Sequence, residues 1–247
     1  MDYTWTTIAF GSAAALSMGI SKTGVPGAAI LAVLLMTRAF AGDEKLSVGA
    51  TLPILLVGDV IAVAYYGRHT QWDRLLRLGP YVIVGMVPAI FVLKYASNRH
   101  FAMILGWLVL GLIALEISRQ ALGWTRMPGR WWFSATMGLV AGFGTMVGNA
   151  AGPVMSVFFI SRGLNKEQFM GTWAWFFFLV NLSKLPIYWR LDMITRHTLW
   201  FDLWIVPAMV AGAVSGRWIL KVIPQRFFNP LVLLLAGIAS LKLVGLF

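Results

Sequence analysis

The first candidates for chemistry are charged residues that lie in or between apolar stretches of the sequence, namely Lys22, Asp59 and Lys184. A charged side chain inside a membrane is costly and usually faces the protein interior or a water-filled cavity. Gly24-Val25-Pro26, immediately after the Lys22 region, is typical of a helix start, whose free N–H groups and positive dipole end would point back at the lysine. This combination predicts an anion site. The alternative is that Lys22 extends to the membrane interface.

A second segment, residues 142–153, resembles residues 19–27 in composition. Both segments are apolar and rich in glycine, and each contains a proline near its end, Pro26 in the first and Pro153 in the second. A matched pair of interrupted hydrophobic segments points to the binding site of a transporter. We therefore predict two helical hairpins whose tips hold the anion near the middle of the membrane. The predicted tip residues are Lys22, Thr23 and Gly24 in the first hairpin and Asn149 and Ala150 in the second.

Asn181 and Lys184 are three residues apart in an apolar helix, so they project from one face and are predicted to complete the site. The alternative is that Lys184, near the end of that helix, reaches the lipid headgroups. Thr51 and Thr172 stand at matching helix starts and could donate their hydroxyls to an oxyanion. Threonine in membrane helices more often binds a main-chain carbonyl.

Asp59 is central in its apolar segment, where an unpaired carboxylate would be expensive. It is expected to pair with Lys22 or Lys184, or to be protonated. Both a role in proton coupling and a role as a fixed structural ion pair remain open at this stage.

The composition predicts a polytopic membrane protein: 59% of the 247 residues are hydrophobic, 12% are charged, and the mean hydropathy is +0.78. The absence of cysteine excludes disulfides and thiol chemistry. The net charge of +11 arises from single basic residues between apolar runs, which is typical of membrane loops and not of a nucleic-acid partner. No serine–histidine pair, aspartate pair or zinc-ligand pattern is visible, so neither an enzyme nor a metal or cofactor site is predicted.

We count ten apolar segments, and the predicted fold class is an all-α membrane protein of two inverted repeats, 1–120 and 121–247. Each repeat is predicted to be a broken-helix hairpin followed by three transmembrane helices. Residues 131–161 lack charge entirely. At 31 residues they are too long for one span of ~20 and too short for two. The segments lie near 5–21, 24–37, 46–66, 75–95, 100–117, 131–148, 150–161, 168–188, 199–220 and 228–246.

Repeated motifs support the duplication. Residues 68–72 (Arg-His-Thr-Gln-Trp) recur as 196–200 (Arg-His-Thr-Leu-Trp), each time after a long apolar helix. Aligning Gly49 with Gly171 places Asp59 opposite Asn181. Aligning the prolines of the two hairpins places Lys22 opposite Asn149. Because each repeat would cross the membrane an odd number of times, the two halves are expected to be inverted relative to each other.

The distribution of basic residues predicts the orientation. The predicted loops on one side hold eleven Lys and Arg residues and those on the other side hold seven. The richer side, which includes Arg68, Arg74 and Arg162, is therefore assigned to the cytoplasm. Both termini are predicted to be periplasmic, in a multi-pass protein of the bacterial inner membrane.

The sequence resembles the sulfite exporter TauE/SafE family of bacterial membrane permeases over nearly its whole length. The resemblance is carried by residues 22–27 (Lys-Thr-Gly-Val-Pro-Gly), the 49–51 helix start and its Tyr65-Tyr66-Gly67 end, and the block from Gly171 to Pro186. At Lys22-Thr23 the sequence departs from the run of glycines common in the family. The resemblance implies export or import of sulfur-containing anions such as sulfite, thiosulfate or organosulfonates.

The leading hypothesis is therefore a secondary transporter for a small sulfur-containing anion, working by alternating access within the lipid bilayer. The alternatives are cation or proton-coupled translocation centred on Asp59, and a membrane assembly partner that transports nothing. The sequence leaves open the anion, the direction, the coupling ion and the oligomeric state.

Overall fold

The computed structural model describes residues 4–24, 28–40, 43–122, 131–149, 151–162, 164, 166–222 and 241. These residues form nine α-helices and a short 3-10 turn at Gly67–His69, with no strand among them, so the all-α prediction is confirmed. The predicted segment 228–246 lies almost wholly outside the described residues. The helices are α1 Trp5–Thr23, α2 Ala28–Ala39, α3 Glu44–Tyr66, α4 Trp72–Tyr95, α5 Asn98–Ala121, α6 Trp131–Gly148, α7 Gly152–Ser161, α8 Lys166–Arg190 and α9 Arg196–Val222.

Three of the described helices are long and apolar enough to cross a membrane by length and composition. They correspond to Glu44–His69, Trp72–Tyr95 and Arg196–Trp218. α3 begins cleanly because the Asp43 carboxylate accepts a hydrogen bond from the Leu46 N–H at 3.0 Å, which satisfies one of the free donors of the first turn.

Each predicted hairpin consists of a long and a short helix. In the first, α1 has 19 residues and α2 has 12; in the second, α6 has 18 and α7 has 10. The two arms of each hairpin pack against each other. At about 1.5 Å per residue, the short arms span only about 15–18 Å, which is less than the hydrocarbon core of about 30 Å.

The long arm of the first hairpin packs along α9 at very short range. A Cβ atom added to Gly212 would collide with the main chain of Leu16, and one added to Gly19 would collide with the main chain of Met209. Glycine at these positions is what allows two helix backbones to approach this closely.

The long arm of the second hairpin packs along α4 in the same manner. A Cβ atom on Gly85 would collide with the main chain of Leu139, and one on Gly142 would collide with the main chain of Val82. When α1 is placed on α6 and α4 on α9, the two collisions of this crossing match the two described for the first crossing. The two crossings therefore share one packing geometry, although they join different parts of the chain.

α3 and α8 pack antiparallel between these crossings. A Cβ on Gly49, near the start of α3, would meet the main chain of Met193 just after α8. A Cβ on Gly171, near the start of α8, would meet the main chain of Tyr66 and Thr70 just after α3. We call the two ends of this helix pair the Asp43 end and the Gln71 end.

Candidate functional site

Asp59 forms a buried ion pair with Lys22, one of the partners that the sequence left open. Lys22 Nζ lies 2.5 Å from Asp59 Oδ1, and the other carboxylate oxygen accepts a 2.6 Å hydrogen bond from the Asn181 side-chain amide. Lys22 is 5% exposed and Asp59 is 0% exposed. The interfacial alternative for Lys22 is therefore wrong, and the positions aligned as Asp59 and Asn181 are in direct contact.

Lys184 is also fully buried, at 0% exposure, so the alternative in which it reaches the headgroups is wrong as well. Its ammonium donates to both the main-chain and the hydroxyl oxygen of Thr145, each at 3.1 Å, and to Asn149 Oδ1 at 2.5 Å. All three acceptors are uncharged. Thr145 was not predicted from the sequence; its only signal is that it is one of few polar residues in the uncharged stretch 131–161.

Asn149 forms the tip of the second hairpin through both its backbone and its side chain. Its φ of 53° lies in the left-handed region, which asparagine tolerates better than most residues. Its amide nitrogen donates to the Val48 carbonyl at 3.1 Å while its oxygen accepts from Lys184. A carbonyl on one side and an ammonium on the other fix the orientation of the amide group.

The two hairpin tips contact opposite ends of α3. Beside the first tip, the Tyr66 hydroxyl donates to the Thr23 carbonyl at 3.1 Å, near the end of α3. The second tip binds Val48, near the start of α3. At about 1.5 Å per residue these anchor points are about 27 Å apart along the helix. Each hairpin tip therefore reaches beyond the middle of the helix bundle. The short segments that join the hairpin arms do not by themselves predict this reach.

A chain of buried polar side chains lies between the two tips, and we call Lys22, Asp59, Asn181 and Lys184 the polar column. Asn181 and Lys184 project from the same face of α8, as their spacing predicts, and link the contacts of the first tip to those of the second. Lys22 also lies over the Phe177 ring, with Nζ 4.4 Å from the ring centroid. The contact between Lys22 and Phe177 could not be predicted from the sequence, because aromatic residues are abundant along α8.

Thr51 and Thr172 are not brought to the polar column. The Thr51 hydroxyl donates to the Ser47 carbonyl at 2.8 Å, one turn earlier in α3. The Thr172 hydroxyl donates to the Gln168 carbonyl at 2.7 Å and accepts from the Gln71 N–H at 3.0 Å. Both follow the alternative in which a membrane threonine satisfies main-chain groups.

At the first tip, Thr23 and Gly24 are likewise engaged with main-chain atoms. The Thr23 hydroxyl donates to the Ala213 carbonyl at 2.6 Å, and the Gly24 N–H donates to the Ile20 carbonyl at 2.9 Å. The Gly24 N–H is therefore part of the α1 terminus and does not point freely at a ligand. Ala150 lies outside the described residues.

Charge in the polar column is unbalanced. It holds two lysines and one carboxylate, and the described residues place no second carboxylate at ion-pairing distance from either lysine. A buried cation without a counter-ion carries a large desolvation cost that an incoming anion would relieve. Among the described residues there is also no cluster of three or more His, Asp or Glu side chains that could hold a metal.

A comparison with known proteins agrees with this arrangement. The family model of the sulfite exporter TauE/SafE family matches residues 8–243, nearly the whole chain. No curated protein matches the chain, and no solved structure does. The chain belongs to the sulfite exporter TauE/SafE family of membrane transporters.

Proposed function

We propose that this protein is a secondary transporter for a small sulfur-containing anion such as sulfite, thiosulfate or an organosulfonate, held in the polar column between the two hairpin tips. The observation that carries the proposal is the environment of Lys184. Among the described residues, its fully buried ammonium donates to uncharged oxygens of Thr145 and Asn149, while the carboxylate of Asp59 is paired with Lys22.

An oxyanion fits this site chemically. Its oxygens can accept charge-assisted hydrogen bonds from Lys184 and a further bond from the Thr145 hydroxyl, once that hydroxyl turns toward the ligand. The hydroxyls of Thr51, Thr172 and Thr23 can bind the anion only if their hydrogen bonds to main-chain carbonyls break. The first contacts with the anion are therefore made by the two lysines and by Asn149 and Asn181.

Asp59 gives the site a means of coupling to protons. A doubly charged anion near Lys22 competes with the Asp59 carboxylate for the same ammonium. Protonation of Asp59 removes that competition, because a neutral carboxyl group no longer neutralises Lys22. Anion binding and proton uptake at Asp59 would then favour each other.

The matched helix crossings support alternating access between two inverted repeats, 1–120 and 121–247. α1 packs on α9 and α6 packs on α4, so the long hairpin arm of each half packs on the second helix after the hairpin of the other half. The glycine contacts align Gly19 with Gly142, which aligns Lys22 with Thr145 and not with Asn149. Rigid-body rotation of the hairpins about the two glycine-lined helix crossings, α1–α9 and α4–α6, would open the polar column to one membrane face at a time. We propose the bacterial inner membrane as its location, with periplasmic termini.

Thermal stability in detergent tests the anion site directly. The purified protein is heated with sulfite, thiosulfate, sulfate, taurine, sulfoacetate or chloride, beside the Lys184→Gln and Lys22→Gln variants. The control is Lys94→Gln, whose side chain is exposed on α4. We expect one sulfur anion to raise the melting temperature of the native protein and of Lys94→Gln and to have little effect on the two buried variants.

The same experiment separates the alternatives. An equal shift with chloride, or a shift that survives Lys184→Gln, contradicts a specific anion site at this lysine. No shift with any anion favours an assembly role. The burial of the Lys22–Asp59 pair favours cation translocation as the second candidate function; it predicts that Asp59→Asn abolishes transport in liposomes and that Lys22→Gln does not.

A further inference from the structure

Asp202, a residue that sequence reasoning did not single out, is a buried carboxylate in α9. It is 4% exposed, and neither of its carboxylate oxygens has a hydrogen-bond partner among the described residues. It lies six residues after the start of α9, which is about 9 Å from the Asp43 end at about 1.5 Å per residue. Asp202 is thus distinct from Asp59, which lies toward the other end of α3.

α9 packs against α1 and α3. Ile205, one turn after Asp202 on the same face of α9, belongs with Phe201 to one apolar cluster that includes Ala50 and Ile54 of α3, so the face that carries Asp202 is turned toward α3. Ser47 lies one turn before Ala50, toward the Asp43 end, and its buried hydroxyl oxygen also lacks a partner within the described part of the chain. Two unsatisfied oxygen groups therefore occur in the same end of an otherwise apolar interface.

The charged groups on the packed helices do not neutralise Asp202. On α1 the charged side chain is Lys22, and on the inner part of α3 it is Asp59, and these two pair with each other. Glu44 and Lys45 lie in the first turn of α3 and are partly exposed, and Arg38 is at the exposed end of α2. Within the described ranges, none of these groups forms an ion pair with Asp202.

We propose that Asp202 is a proton-binding site of the transporter, distinct from Asp59, which loads from the Asp43 end. An ionised carboxylate without a counter-ion is too costly in this interface, whereas a carboxyl group that holds a proton carries no charge. When α9 separates from α3 and water enters past Ser47, the O–H bond breaks, the proton passes to water and the carboxylate remains solvated. That end is the one we predict to be periplasmic. The coupling role rests on the proposed transport function, but the bound proton does not.

Infrared spectroscopy of the full-length protein in lipid nanodiscs tests the bound proton without any substrate. We expect the C=O band of a protonated carboxyl group at neutral pH, shifted when aspartate is carbon-13 labelled and lost in Asp202→Asn. The matched control is Asp73→Asn, because Asp73 is exposed in the first turn of α4; it should keep the band. If the labelled native protein shows no such band, or if Asp202→Asn retains it in full, the proposal is wrong.

Transport in proteoliposomes tests the coupling role. We expect an imposed pH gradient to drive sulfite accumulation at least tenfold less in Asp202→Asn than in the native protein, while sulfite counterflow without a gradient is retained. Gradient-driven transport at the native rate in this variant overturns coupling at Asp202. If the native protein moves no sulfite at all, the sulfite assignment fails, and the infrared result still decides whether Asp202 holds a proton.

Discussion

A buried lysine lies at each hairpin tip, Lys22 in the first hairpin and Lys184 in α8 beside the second, but the two lysines have different partners. At the first tip Lys22 is neutralised by Asp59, and at the second Lys184 is bound to the neutral oxygens of Thr145 and Asn149. The supporting helix crossings are alike in geometry. The helix crossings are therefore shared while the charge balance differs, and the proposed anion site predicts that the second tip, not the first, receives a negative charge.

The largest effect is expected from removing the carboxylate of the balanced tip. Asp59→Asn leaves Lys22 buried without a counter-ion, and breaking a buried pair in this way costs about 3–5 kcal/mol of unfolding free energy. Lys184→Met removes a cation that has no counter-ion and should cost markedly less. Chemical denaturation in detergent, followed by tryptophan fluorescence, compares the two. Equal losses would mean that the charges of the two tips are balanced alike.

The next prediction concerns the two glycine-lined helix crossings, α1–α9 and α4–α6, which support the two hairpin tips. Gly212→Ala and Gly85→Ala each force a methyl group into a neighbouring main chain, so each should lower the unfolding free energy by about 1–3 kcal/mol. Gly79→Ala is the matched control, since a Cβ there meets nothing within 4 Å. A large loss at one crossing and none at the other would show that the two crossings are not mechanically equivalent.

Much of this framework could be predicted from the sequence. The apolar segments, the two interrupted hairpins and the pairing of Asp59 follow from local composition and from the cost of a charge in an apolar environment. The offset between the Gly49 and Gly171 motifs aligned Asp59 with Asn181 as equivalent positions of the two repeats. Their direct contact was not predicted, because it depends on the antiparallel packing of α3 on α8.

The detail of the second tip could not be predicted in the same way. Aligning the hairpins by proline matched Lys22 with Asn149, whereas the glycine contacts match Lys22 with Thr145, one turn earlier. Proline marks where a helix starts, but close-packed glycines record which surfaces touch. Asp202 also lies within an apolar segment, 199–220, but which helices surround its carboxylate depends on how those helices meet, and no local pattern reveals that.

Converting one tip into the other sharpens the comparison further. Asn149→Asp would give Lys184 a carboxylate partner like that of Lys22, and aspartate also tolerates the positive φ of this position. We expect the affinity for the stabilising anion to fall at least about tenfold, about 1.4 kcal/mol, without loss of folding. Titration of the melting temperature with anion measures this. An unchanged affinity would show that the anion does not depend on the unbalanced charge of Lys184.

The smallest effects are expected at the threonines that the structure places outside the polar column. Thr172→Val leaves the Gln71 N–H without its acceptor and should cost about 1 kcal/mol of unfolding free energy, because this bond joins α8 to the connection after α3. Thr51→Val removes only a bond within α3, from its hydroxyl to the Ser47 carbonyl, and should cost less. Neither variant should change the anion-dependent melting shift. Loss of that shift in Thr51→Val alone would mean that the anion site extends toward the Asp43 end, where the second tip meets Val48, and that the hydroxyl leaves its main-chain partner when the anion binds.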